Sequence, residues 1–149
     1  MEGQAIGTLG LAISLILCGI GSAYGLYKTG AAAAGVIAED SKKFSKVIIL
    51  ALLPATQGIY GFVLAVMKSA QVAAVTTTDA GWVAFFAMLG MGISGMASAI
   101  LQGRTATACI YAIGKNDEGS GRYVLFPAMV EFYAILALVL GIMINIPVA

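Results

Sequence analysis

The stretch YVLFPAMVEFYAILALVLGIMINIPVA, residues 123–149, carries no charged side chain except Glu131. Three further stretches, residues 3–27, 47–67 and 80–103, contain no charged residue at all. Each stretch is long enough to cross the hydrocarbon core of a bilayer, which takes roughly 20 helical residues. Backbone groups in lipid must be hydrogen-bonded internally, and none of the stretches alternates as a barrel strand does. The sequence therefore predicts four transmembrane helices.

The composition excludes an ordinary soluble enzyme. Of the 149 residues, 60% are hydrophobic and 10% are charged, and the mean hydropathy is +0.98. About a quarter of the residues of a soluble domain are charged. The chain has no histidine, the most frequent zinc ligand and general base, and its net charge of +1 gives no field that would attract nucleic acid. We expect a membrane protein with no nucleic-acid partner.

We predict an all-α membrane protein whose four transmembrane helices form two fused helical hairpins. The helices are expected at residues 5–37, 44–69, 80–113 and 121–146. Two hairpins in lipid pack as one unit, so residues 1–149 are interpreted as a single membrane domain. Glycines recur along the first and third helices, which favours close helix packing within the bundle and between neighbouring copies in a ring.

The two hairpins are related by an internal repeat. A shift of 73 residues aligns Pro54-Ala55 with Pro127-Ala128, Tyr60 with Tyr133, and Gly30 with Gly103. The repeat indicates that residues 5–69 and residues 80–146 are copies of one hairpin. In this register Glu131 aligns with Gly58, so only the second copy carries the acid.

The basic residues predict the orientation of the chain in the membrane. Seven of the eight lie near the connections inside the two hairpins, namely Lys28, Lys42, Lys43, Lys46, Arg104, Lys115 and Arg122. Basic residues mark cytoplasmic loops. We expect a multi-pass protein of the cell membrane with both hairpin loops in the cytoplasm and both termini outside.

Glu131 is the first candidate functional residue. It lies about ten residues after the start of its predicted helix and about fifteen before the end, and ten helical residues correspond to a depth of about 15 Å. A carboxyl group there costs on the order of 3 kcal/mol, and such residues are usually functional. The alternative interpretation is an acid that is hydrogen-bonded between helices and binds no transported ion.

Polar groups of the second helix lie at a similar depth. The spacing i, i+3, i+4 and i+7 places on one helical face the residues Leu53, Thr56, Gln57 and Tyr60. Pro54 has no N–H and is expected to distort the turn, which opens backbone carbonyls toward a ligand. Each polar residue taken alone could simply hydrogen-bond a neighbouring helix.

Gln102 on the third helix completes a set of oxygen donors. The set consists of the Leu53 carbonyl, the Thr56 hydroxyl, the Gln57 and Gln102 amide oxygens and the Glu131 carboxylate. One negative charge among neutral oxygens suits a monovalent cation, and we predict Na⁺. Tyr60 is expected to hydrogen-bond the carboxylate and close the site rather than to ligate the ion.

The segments LPATQGIYG at residues 53–61, Gln102-Gly103, and PAMVEFYA at residues 127–134 strongly resemble a known family. It is the proteolipid, also called the c-type or K-type subunit, of V-type and A-type rotary ATPases, and in particular its sodium-translocating bacterial form. The resemblance covers essentially the whole chain. Phe132 departs from the pattern, because sodium-type members have a small hydroxyl residue after the acid.

The resemblance implies a role for each residue of the set. Glu131 would be the essential ion-binding carboxylate, and Tyr60 would hydrogen-bond it. The further Na⁺ ligands would be the Leu53 carbonyl and the side-chain oxygens of Thr56, Gln57 and Gln102. The Thr-Gln pair favours Na⁺ over H⁺, because proton-binding relatives tend to lack it.

The resemblance also implies partners. Several copies would form a homo-oligomeric ring in the lipid bilayer, facing a stator membrane subunit that supplies an essential arginine. Central-stalk subunits would dock on the cytoplasmic loops near Lys42 and Lys115. ATP hydrolysis would occur elsewhere in the complex, so the chain itself would be a non-catalytic, ion-translocating subunit with no organic cofactor.

Three other functions remain open on the sequence. The same rotor could carry H⁺ instead of Na⁺. The chain could be a self-contained ion channel or small transporter, or a purely structural membrane subunit. A membrane-embedded enzyme is the least favoured, since the sequence shows no nucleophile and base pair.

Overall fold

The computed structural model describes residues 1–116 and 118–148. The α-helices of these residues are α1 (Glu2–Glu39), α2 (Phe44–Leu52), α3 (Thr56–Ala73), α4 (Thr78–Lys115) and α5 (Leu125–Met143). Short 3₁₀ turns at Ser41–Lys43, Leu53–Ala55 and Ser120–Val124 precede α2, α3 and α5. The described part of the chain contains no β-strand.

Four spans of the structure are long and apolar enough to cross a membrane. They are Glu2–Glu39, Ser41–Ala73, Thr78–Lys115 and Ser120–Met143. The prediction of an all-α protein with four membrane-spanning helices is confirmed. Since α1 and α4 have 38 residues each, they are about 57 Å long at 1.5 Å per residue. Both helices therefore exceed the thickness of a bilayer.

The second span is interrupted at Pro54, as predicted. Helix α2 ends at Leu52 and α3 begins at Thr56, because proline has no N–H to continue the helical ladder. The Thr29 hydroxyl of α1 donates a hydrogen bond of 2.7 Å to the Ala51 carbonyl in the last turn of α2. This contact fixes the broken helix against α1.

Helix α5, which was predicted to reach residue 146, ends at Met143, three residues earlier. The residue before a proline disfavours the helical conformation, so Pro147 disfavours a helical Ile146, and the backbone is already extended at Ile144. Lys68 of α3 is 5% exposed, and its Nζ donates to the Ile142 carbonyl at 2.9 Å and the Ile144 carbonyl at 2.7 Å. The lysine thereby caps the end of α5.

Helices α1 and α4 pack against each other along their length and form the centre of the bundle. At Gly103 a Cβ would lie 2.6 Å from the Gly25 Cα, so the two backbones approach more closely than a side chain would allow. Helix α3 packs on α1, and α5 packs on α4. The close packing of the glycine-rich helices within the bundle is thus observed.

Helix α5 lies at the edge of the bundle, and most of its surface is open. Its buried residues, Pro127, Ala134 and Gly141, mark the single face that packs against the other helices. Residues on either side of Glu131, such as Met129 and Phe132, are largely exposed. The acid is therefore placed on a helix whose remaining surface is available to lipid or to another copy.

Candidate ion-binding site

The Glu131 carboxylate is held by two donors from two other helices. The Tyr60 hydroxyl of α3 donates to Oε1 at 2.5 Å, and Gln102 Nε2 of α4 donates to Oε2 at 3.3 Å. Each carboxylate oxygen therefore has its own partner. Glu131 lies near the middle of the span Ser120–Met143. Tyr60 and Gln102 therefore hold an acid that lies well inside an apolar segment.

Gln102 connects this carboxylate to the interior of the bundle. Its Nε2 also donates to the Pro127 carbonyl at 3.1 Å, and its Oε1 accepts from Gln57 Nε2 at 2.9 Å. Both glutamines have no exposed surface. Buried amides are costly without partners, and the hydrogen bond between them satisfies one donor of Gln57 and the oxygen of Gln102.

Gln57 has a defined amide orientation. Besides the bond to Gln102, its Nε2 donates to Ser98 Oγ at 3.2 Å. Its Oε1 lies 3.3 Å from Thr56 Oγ1. Two neutral oxygens are therefore placed side by side at the start of α3.

Thr56 and Leu53 are linked through the turn at Pro54. The Thr56 hydroxyl donates to the Leu53 carbonyl at 3.0 Å, and the Thr56 backbone N–H donates to the same carbonyl. The same hydroxyl has a second, more distant acceptor in Gln57 Oε1 at 3.3 Å. The Leu53 carbonyl itself already accepts two hydrogen bonds.

The structure brings together every residue of the predicted set, with one difference in orientation. We expected the amide oxygens of both glutamines to face a cation. Instead the Gln102 nitrogen faces Glu131 and its oxygen faces Gln57. The reason is that the carboxylate and the Pro127 carbonyl are both acceptors, so they attract the amide donor.

Sequence reasoning missed two serines on α4. Ser98 Oγ donates to the Val130 carbonyl at 3.0 Å, and Ser94 Oγ donates to the Tyr133 carbonyl at 3.3 Å. With Gln102 they are spaced i, i+4 and i+8, so their side chains form one row along α5. That spacing was visible in the sequence, but it does not show which neighbouring helix the row faces.

The site combines one carboxylate with neutral groups. Tyr60 and Gln102, whose side chains hydrogen-bond Glu131, are both uncharged. Residues 1–116 and 118–148 contain no cluster of three or more His, Cys, Asp or Glu side chains that could hold a metal ion. In these two hydrogen bonds the Glu131 carboxyl group is therefore held by uncharged side chains.

This fold and site define a multi-pass membrane protein with a carboxyl group, that of Glu131, near the middle of its fourth span. The ATP synthase C subunit family model matches the chain twice, at residues 9–67 and 85–144. The chain belongs to this family. It is a proteolipid subunit of a rotary ATPase, an ion-carrying rather than a catalytic subunit. The two matches fit two fused hairpins.

Two curated relatives agree with this assignment. The chain is 38% identical over 139 residues to the V-type sodium ATPase subunit K of Enterococcus hirae, covering 93% of this chain and 89% of that protein. It is 36% identical over 143 residues to the A-type ATP synthase subunit K of Methanocaldococcus jannaschii, covering 96% of this chain and 63% of that protein. The resemblance found in the sequence is confirmed.

Proposed function

We propose that this chain carries Na⁺ across the membrane in the rotor ring of a V-type ATPase, by reversible binding at Glu131. The observation that carries the proposal is a connected hydrogen-bond network on helices that span the membrane. In it, Gln102 donates to the Glu131 carboxylate and accepts from Gln57, whose amide oxygen lies 3.3 Å from the Thr56 hydroxyl oxygen. The name of the Enterococcus hirae relative, a sodium ATPase subunit, supports the choice of ion.

The charge of the site supports a monovalent cation. Na⁺ on one carboxylate gives a neutral site, whereas a divalent cation would leave a net positive charge in a medium of low dielectric constant. Moving an uncompensated charge through hydrocarbon is strongly unfavourable. The loaded site is therefore able to pass through lipid as the ring turns.

The proposed ligands are Glu131, Gln57, Thr56, Gln102 and the Leu53 carbonyl, with Tyr60 holding the carboxylate. The Gln57 and Thr56 oxygens already lie together. Gln102 would have to rotate its amide to offer oxygen, because its nitrogen now faces Glu131. The Leu53 carbonyl would add a third interaction to the two hydrogen bonds that it accepts.

The assembly is proposed on the same basis. Copies of the chain, each a single membrane unit of hairpins 5–69 and 80–146, form a ring with α5 outward, toward a stator subunit with an essential arginine. The hairpin loops face the cytoplasm and contact central-stalk subunits near Lys42 and Lys115, and both termini lie outside.

The test is carbodiimide modification of Glu131 in membranes that contain the assembled complex. We expect Na⁺ at millimolar levels to slow the modification, with K⁺ at equal ionic strength as the control. Modification that responds to pH but not to Na⁺ would overturn the sodium assignment in favour of H⁺.

The variant Glu131→Gln tests the role of the acid itself. It keeps the size of the side chain and removes the charge, so we expect an assembled complex without ion transport. Retained transport would contradict the mechanism. Ion conduction by the purified chain without any other subunit would instead support a self-contained channel.

A further inference from the structure

Ser98 of α4 lies between Gln57 and the backbone of α5, and none of the roles predicted from the sequence includes it. Its side chain is buried, at 5% exposure, and its hydroxyl has two partners. It donates to the Val130 carbonyl at 3.0 Å and accepts from Gln57 Nε2 at 3.2 Å. The serine thus contacts both the residue before the acid and one of the proposed ligands.

The direction of these two hydrogen bonds restricts Gln57. A serine hydroxyl has one proton, and the Val130 carbonyl receives it. Toward Gln57, Ser98 therefore offers only lone pairs, which attract the amide nitrogen and repel the amide oxygen. The second amide proton goes to Gln102 Oε1. With both N–H groups engaged, the Gln57 oxygen is directed to Thr56.

We propose that Ser98 is a positioning residue for Na⁺ binding, which holds the Gln57 amide with its oxygen toward the ion. This inference rests on the proposed function. The contribution of Ser98 would be larger if the Gln102 amide rotates to ligate Na⁺, because Gln57 then loses its hydrogen bond to the Gln102 oxygen. Ser98 is in that case the remaining acceptor that fixes the Gln57 amide.

The internal repeat supports a role of Ser98 that depends on the presence of Glu131. In the 73-residue register, Ser98 corresponds to Gly25, and Glu131 corresponds to Gly58. The hairpin without the acid therefore has no hydroxyl at the equivalent place. There the absence of a side chain serves backbone packing, because Gly25 lies against Gly103.

The test compares Ser98→Ala with Ser94→Ala in membranes that contain the assembled complex. Ser94 is the matched control, since the hydrogen bond of its hydroxyl goes to the Tyr133 carbonyl of α5 and not to Gln57. The readout is the Na⁺ concentration that halves the rate of carbodiimide modification of Glu131. We expect Ser98→Ala to raise this concentration roughly threefold to tenfold, as expected for the loss of one hydrogen bond.

The other readouts separate positioning from folding. Ser94→Ala should keep both the modification rate without Na⁺ and the wild-type Na⁺ dependence. The Na⁺ dependence of Ser98→Ala is measured relative to its own modification rate without Na⁺. Ser98→Cys, which keeps the side-chain size and offers only a weak acceptor, should shift the Na⁺ dependence in the same direction as Ser98→Ala.

Several results would overturn the inference. A wild-type Na⁺ dependence in an assembled Ser98 variant would do so and leave the proposed function intact. An equal shift in Ser94→Ala would show that the serines act only by fixing α5. Loss of assembly in both Ser98 variants would assign Ser98 to folding. If Na⁺ does not protect even the wild-type protein, the proposed sodium function fails together with the inference.

Discussion

The Tyr60 hydroxyl donates a hydrogen bond to Oε1 of Glu131, so a side chain of the first hairpin holds the acid of the second. Replacing Tyr60 by Phe removes this donor and keeps the aromatic ring of the side chain. Hydrogen bonds to charged groups contribute about 1.5–3 kcal/mol. We therefore expect Tyr60→Phe to weaken Na⁺ binding by about an order of magnitude or more.

The measurement for Tyr60→Phe is the Na⁺ dependence of ATP-driven Na⁺ uptake into membrane vesicles. Tyr133→Phe is the control, because Tyr133 is the repeat counterpart of Tyr60 and its side chain is 70% exposed. Equal Na⁺ dependence in wild type and Tyr60→Phe would show that the hydrogen bond does not contribute to binding.

Thr29→Val tests the fixation of α2 to α1. Valine has nearly the same shape but cannot donate to the Ala51 carbonyl, which lies in the last turn of α2 before the break at Pro54. A buried acceptor left without a partner costs about 1–3 kcal/mol. We expect a lower thermal unfolding temperature of the detergent-purified protein.

The control for Thr29→Val is Thr105→Val on α4. The Thr105 hydroxyl donates only to the Leu101 carbonyl of its own helix, so its loss should change stability little. Equal unfolding temperatures for the two variants would contradict a specific role of the Thr29 contact.

Gly103→Ala tests the close approach of α1 and α4. A Cβ at Gly103 would lie 2.6 Å from the Gly25 Cα and 3.1 Å from the Gly25 carbonyl oxygen, and backbone cannot yield as a flexible side chain does. Such overpacking typically costs about 1–3 kcal/mol. We expect reduced yield and reduced thermal stability of the purified protein.

Gly90→Ala is the matched control for Gly103→Ala. Gly90 lies on the same helix, and a Cβ there meets no atom within 4 Å. Alanine has the higher helix propensity, so Gly90→Ala should retain or slightly raise stability. A Gly103→Ala protein as stable as this control would mean that α1 and α4 accommodate the added methyl group without loss of stability.

Lys68→Met tests the cap at the end of α5. Methionine keeps the apolar stem but removes the three donors, so the carbonyls of Ile142 and Ile144 lose their contact with α3. We expect faster backbone amide exchange at the end of α5 and lower thermal stability.

Lys28→Met is the control for Lys68→Met, since Lys28 is exposed on α1 and its Nζ lies over the rings of Tyr24 and Tyr27. Similar exchange in both variants would contradict the capping role.

The sequence predicted the four spans and the break at Pro54, because these depend on local properties. Length without charge decides whether a segment can cross lipid, and a missing N–H interrupts a helix wherever it occurs. The end of α5 was less predictable. Pro147 signals a stop, but the cap by Lys68 depends on a contact with another helix.

The sequence by itself determined which residues could form an ion site. An acid in an apolar segment and polar residues on one helical face follow from composition and from the 3.6-residue period. Only the tertiary structure decided that the Gln102 nitrogen faces Glu131 and that Ser98 lies between Gln57 and Val130. Hydrogen bonds between side chains depend on the relative rotation and depth of packed helices, which no local pattern encodes.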